Sequence, residues 1–215
     1  MNIPFTTEQF FQVIAMYNTQ VFPAQILIFA LGLLVVFFIH SRYDYRNRII
    51  GGFLGMLWIW TGAAYHIAFF TSINKTAYGF GFLFILQGIL ILIETFARKR
   101  IDIRFKGGWL DYLGYFFIIY GLIIYPLLSN ILEGSAVQTI TLGLPCPSII
   151  LTFGFLMLTS REFPKYLLII PTLWAVVGLS AALNFGVYQD FMMIVAALVA
   201  DIMLIRRRKS VADPA

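Results

Sequence analysis

His66 and Cys146 stand inside long apolar stretches, and both belong to residue types that do chemistry. His66 follows Tyr65, and Cys146 is bracketed by Pro145 and Pro147. An imidazole at this place is either a hydrogen-bonded core residue or a contact to ligand, substrate or metal. A thiol adds a nucleophile or a soft-metal ligand. Together they would suit a soft metal, yet two ligands are too few for a closed site. No metal, no cofactor and no catalytic residue is therefore assigned. One cysteine also rules out an internal disulfide.

Other polar residues recur at a similar depth. Gln25 follows Pro23, Asn74 lies just beyond the Tyr65-His66 stretch, and Tyr125 precedes Pro126. Ser180 and Asn184 close one apolar run, Asp190 opens the next, and Gln87 lies within another. Polar groups in hydrocarbon are costly, so those present mark a functional site by default. The expected ligand-binding cavity is lined by His66, Tyr65, Gln25, Asn74, Gln87, Tyr125, Cys146, Ser180 and Asn184. Pro145 and Pro147 lack amide hydrogens and would kink a helix there, freeing the carbonyls of Thr141 and Gly143. A kink without any site is the plainer alternative.

The elements that must position these groups follow from composition. Of 215 residues, 60% are hydrophobic and 12% charged, and the mean hydropathy is +0.87. A soluble domain carries about 25% charged residues; the natural solvent of this chain is a lipid bilayer. Seven apolar runs suit transmembrane helices of about 20 residues: Phe22–Ile39, Ile49–Thr71, Ala77–Ala97, Trp109–Ser129, Gln138–Thr159, Tyr166–Phe185 and Asp190–Ile205. The fold class is thus all-α and polytopic. Residues 1–20 form an amphipathic interfacial segment, 21–206 the transmembrane domain and 207–215 a basic cytoplasmic tail. Thr6 and Gln9 have the spacing of a capping box that opens the first, short helix. Met1 to Gln20 lack the basic start of a cleavable signal.

Orientation follows from lysine and arginine. Arg42, Arg46 and Arg48 fall in one linker, and Arg98, Lys99, Arg100, Arg104 and Lys106 in a second. Arg161 and Lys165 fall in a third, and Arg206, Arg207, Arg208 and Lys209 in the tail. All lie on one side if the chain crosses seven times with its N-terminus out; Lys75 alone lies opposite. Charges so distributed are topological, and no nucleic-acid partner is expected. Near the inner ends, Glu94, Asp111 and Asp201 are expected to fix helix ends and balance the basic loops, with a proton relay as the alternative. Leu57-Trp58-x-x-x-Gly62 resembles Leu173-Trp174-x-x-x-Gly178. Pro23 and Pro145 each precede a glycine by nine residues, which suggests a 3+1+3 parallel repeat.

Several motifs are missing. The last run has no lysine for a retinal Schiff base, and no span contains His-x-x-x-His. Phosphate-binding and metal-protease signatures are also lacking. The segments Ile3-Pro4-Phe5-Thr6, Trp60-Thr61-Gly62, Ala64-Tyr65-His66, Gln87-Gly88, Pro145-Cys146-Pro147-Ser148 and Ile170-Pro171 resemble an uncharacterised family of bacterial multi-span membrane proteins, a domain of unknown function. The resemblance implies a bacterial inner membrane protein and no activity. Three functions remain open. The first is a small-solute or ion transporter with an outward-facing polar cavity. The second is a ligand-binding sensor or accessory subunit, alone as a homo-oligomer or with a membrane partner. The third is an enzyme acting on a lipid or quinone, with His66 as acid/base and Cys146 as nucleophile.

Overall fold

The structure is a computed structural model that describes residues 4–159 and 163–206. Arg161 and the basic tail from Arg207 lie outside the described residues. Every regular element among the described residues is helical, with only two isolated bridges, Ile103 to Thr159 and Leu142 to Leu144.

The eight principal helices are α1 (Thr7–Gln20), α2 (Ala24–Phe38), α3 (Arg46–Ser72), α4 (Ala77–Ala97), α5 (Trp109–Glu133), α6 (Pro145–Met157), α7 (Lys165–Phe185) and α8 (Tyr188–Ile205). Five of them, α3, α4, α5, α7 and α8, are long and apolar enough to cross a membrane. A sixth span exists only if α1 and α2, bent by 83°, count together. Among the described residues, then, five to six helices rather than seven have the length and apolarity of a full span. The capping box opening α1 is present: the Thr6 hydroxyl accepts from the Gln9 amide, and the Gln9 side chain accepts from the Thr6 amide. The helix it starts is separate from α2 rather than an extension of it.

The largest departure from expectation is at Gln138–Thr159. Only Pro145–Met157, 13 residues, is helical. Pro145 is the first residue of α6 rather than a kink within it, a place where the missing amide hydrogen costs nothing. Residues 139–144 are non-helical, turning at Gly143, where the Leu144 amide donates to the Thr141 carbonyl (3.1 Å), and side chains serve their other backbone groups. The Ile140 amide donates to Ser129 Oγ (2.7 Å), and the Gly143 amide to Ser148 Oγ (3.1 Å). The Gly143 carbonyl accepts from Thr61 Oγ1 (3.1 Å) and Tyr17 OH (3.3 Å). Gly143 has φ +101, which residues with a Cβ rarely adopt. Non-helical backbone of this kind survives in a membrane only when enclosed by protein. Of the α6 residues, all but Cys146 are buried.

Close packing sets the rest. A Cβ on Gly62 would lie 2.7 Å from the Gly81 carbonyl oxygen, and one on Gly88 2.5 Å from that of Gly55. Two glycines on each helix thus let α3 and α4 touch backbone to backbone, the small-residue packing of membrane helices. Trp58 Nε1 donates to Thr152 Oγ1 (3.0 Å), tying α3 to α6, and Gln87 Nε2 donates to the Leu167 carbonyl (2.8 Å), tying α4 to α7.

The inner-end carboxylates fix helix ends. Glu94 pairs with Arg98 (2.9 Å) and Arg100 (2.7 Å) and accepts from the Tyr166 hydroxyl. Asp111 accepts from the amides of Lys106 (2.7 Å) and Gly108 (3.3 Å). Asp201 accepts from Thr172 (2.8 Å). Sequence reasoning overlooked Asp102, which pairs with Arg46 (3.2 Å) and Arg104 (2.9 Å).

Candidate functional site

At the other end of the bundle, α1, the ends of α3, α4, α7 and α8, and the first turn of α6 border a cavity of about 240 Å³. Seven aromatic rings stand in its wall. Tyr65 stacks on Phe70 (5.5 Å), Phe80 meets Trp174 edge to face (5.1 Å), and Phe10 stacks on Phe185 (4.9 Å). Phe5, just before α1, packs on Phe70 at 5.4 Å and Phe185 at 5.3 Å. The N-terminal segment thereby closes one side of the cavity.

One carboxylate sits in this apolar wall. Asp190 is 1% exposed. It lies in the turn that opens α8, where a helix N-terminus favours negative charge. Its side chain points to other elements: Tyr125 OH donates to Oδ1, and Cys146 Sγ to Oδ2 at 3.3 Å. Among the described residues no lysine, arginine or histidine forms an ion pair with it. The neighbouring turn is held by Tyr120 OH, which donates to the Gln189 carbonyl (3.3 Å). It is held too by Gln189 Nε2, which donates to Glu133 (3.0 Å).

The nine residues expected to line a cavity separate into groups. Tyr65, Asn74, Cys146 and Ser180 line it. Tyr125 stands behind it, through Asp190. His66 is buried beside it, its ring 4.8 Å from Trp174 and 4.6 Å from Phe84, and neither ring nitrogen has a hydrogen-bond partner among the described residues. Its surroundings among the described residues are aromatic rings rather than hydrogen-bonding groups. Gln25 donates to the Asn18 carbonyl (2.5 Å) and lines a different groove. Gln87 is spent on the α4–α7 tie, and Asn184 donates to the Ser180 carbonyl (2.6 Å) on the exposed face of α7. Asn74 also caps the turn into α4, accepting from Thr76.

Cys146 and His66 thus have different surroundings: the thiol donates to a carboxylate and the imidazole is packed in rings. Among the described residues no three His, Cys, Asp or Glu side chains group as a metal site. Asp190 is the group that sequence reasoning placed at the start of a span and left out of the cavity. Its signal was available, since it is a carboxylate at the edge of an apolar run.

An all-helical protein with helices of membrane-crossing length, folded around an aromatic pocket with one buried carboxylate, is the class these features define. The chain belongs to a family of unknown function, DUF6064, which it matches over residues 7–213. No curated protein and no solved structure matches it.

Proposed function

We propose that this is a seven-span membrane protein, N-terminus outside and C-terminus in the cytoplasm, whose outer-half pocket binds a small solute for transport. The observation that carries the reading is Asp190, a buried carboxylate at a cavity and without a basic partner among the described residues. A buried charge normally has a partner, and a ligand would supply it.

Support for seven spans comes from the two ends of the bundle. Asn18, Gln25, Glu133, Cys146 and Gln189 are joined to neighbours at the pocket end. His40–Tyr115, Arg46–Asp102 and Glu94–Tyr166 contacts lie at the other. α6 reaches both: Cys146 lies at the pocket, and the residues just past its last turn pair with Ile103 and with the Arg104 amide. At 1.5 Å per residue it is only about 20 Å long, which its burial by other helices tolerates. Pro23 and Pro145 both stand at helix starts, in keeping with the 3+1+3 repeat.

Ligand sensing is the second reading, and the inner half favours it. Glu94 and Asp102 are locked in ion pairs, whereas transport calls for a polar lining in both halves. Screening metal ions, organic ions, sugars and lipids for thermal stabilisation of the purified protein tests the shared first step. A stabilising compound should lose its effect in Val177→Trp, which fills the wall of the pocket. Stabilisation that survives this substitution would remove the pocket from the function. Uptake of the same compound into proteoliposomes then separates transport from sensing.

A further inference from the structure

We propose that the pocket selects a small organic cation, an ammonium head group seated among Tyr65, Phe70, Phe80 and Trp174 with Asp190 as its counter-ion; this rests on the solute-binding reading above. Three observations converge on positive charge. The first is the lining. Ring faces attract cations, and a quaternary ammonium bound in an aromatic cage is the usual functional form of that attraction. Here the rings stand beside a carboxylate whose two oxygens both accept hydrogen bonds, from Tyr125 and Cys146. Both neighbours orient that carboxylate without neutralising it.

The second is the helix end that borders the cavity. A helix N-terminus ordinarily offers amide donors to an anion. The first and third residues of α6 are Pro145 and Pro147, so two of its first three positions have no N–H to give. The feature that would have recruited phosphate or carboxylate is disabled at the cavity wall.

The third is charge at the outer end. In the seven-span topology that end carries Glu8, Glu133 and Asp190 against Lys75, a balance that draws cations toward the mouth. The volume also limits the ligand. About 240 Å³ lies below the roughly 300–1,000 Å³ of drug-sized pockets, so the cation is small.

The test compares choline with 3,3-dimethyl-1-butanol, its uncharged carbon isostere, by thermal stabilisation of the purified full-length protein. Tetramethylammonium and tetraethylammonium extend the series. Choline or one of the tetraalkylammonium ions should stabilise the wild type, and the isostere should do so about tenfold less effectively or worse. Asp190→Asn keeps the shape and should weaken cation binding by about tenfold or more. If that variant fails to fold, the choline–isostere difference on the wild type decides alone. Equal stabilisation by choline and its isostere overturns the cation assignment and leaves the solute pocket standing. No stabilisation by any ammonium in the series also overturns it. A hit elsewhere in the wider screen, blocked by Val177→Trp, would then preserve the binding reading with a different ligand class.

Discussion

Buried polar atoms at this site are of two kinds, and they make opposite predictions. Each oxygen of the Asp190 carboxylate accepts one hydrogen bond from a side chain, so removing a donor strands one of them. Tyr125→Phe should lower stability by about 1–3 kcal/mol, the usual cost of an unsatisfied buried acceptor, read as an earlier thermal midpoint in detergent. An unchanged or later midpoint would mean that the Tyr125–Asp190 bond contributes nothing. His66 is the reverse case. Its two ring nitrogens are buried and unpartnered among aromatic rings, a situation that is rare in native proteins. His66→Leu, of comparable bulk, should leave the midpoint where it is or raise it. A fall of several degrees would show that the imidazole has a partner, a bound water or a solute, that the surrounding side chains do not supply.

At the scale of elements, the α3–α4 seam depends on backbone contact. Gly62→Val and Gly88→Val each put a side chain where a carbonyl oxygen stands less than 3 Å away, and neither helix can yield without opening the bundle. Both should abolish recovery of monodisperse protein in detergent. Gly79→Ala, at a glycine with nothing within 4 Å of its Cβ position, should be recovered like the wild type. A soluble, monodisperse Gly88→Val would show that the seam is not closely packed. The π-helical stretch Thr61–Phe69 within α3 carries Tyr65 and His66. Another, Tyr120–Ile124, immediately precedes Tyr125. Such wide turns re-aim side chains relative to a regular helix, and both lead into residues of the site.

At the scale of the whole molecule, the proposed topology can be read by labelling. In a Cys146→Ser background, Lys75→Cys in intact cells should react with a membrane-impermeant maleimide. Arg42→Cys should react only after permeabilisation. The opposite pattern, or equal labelling of both, would sink the N-out, seven-span arrangement. That arrangement has a consequence for the pocket: it opens on the side where basic residues are scarce, so a cation meets little repulsion on its way in.

The amino-acid sequence by itself determined the solvent of this protein and the limits of most of its helices. Ala77–Ala97 was read as it stands, and α3, α5, α7 and α8 to within a few residues, because unbroken hydropathy over about 20 residues leaves a chain in lipid little but helix to form. The Thr6–Gln9 capping box was legible for the same local reason. What sequence could not supply was anything decided by partners distant along the chain. Hydropathy counts Thr139 to Leu144 as helix, whereas Ser129, Thr61 and Tyr17 satisfy that stretch in a non-helical form. The same hydropathy placed His66, Gln87 and Gln25 at a shared depth, but depth does not say which way a side chain points. Only the tertiary structure set Tyr125 and Cys146, 21 residues apart, on the two oxygens of Asp190. A hydrogen bond between side chains on three different helices exists only when the backbones have already been packed together.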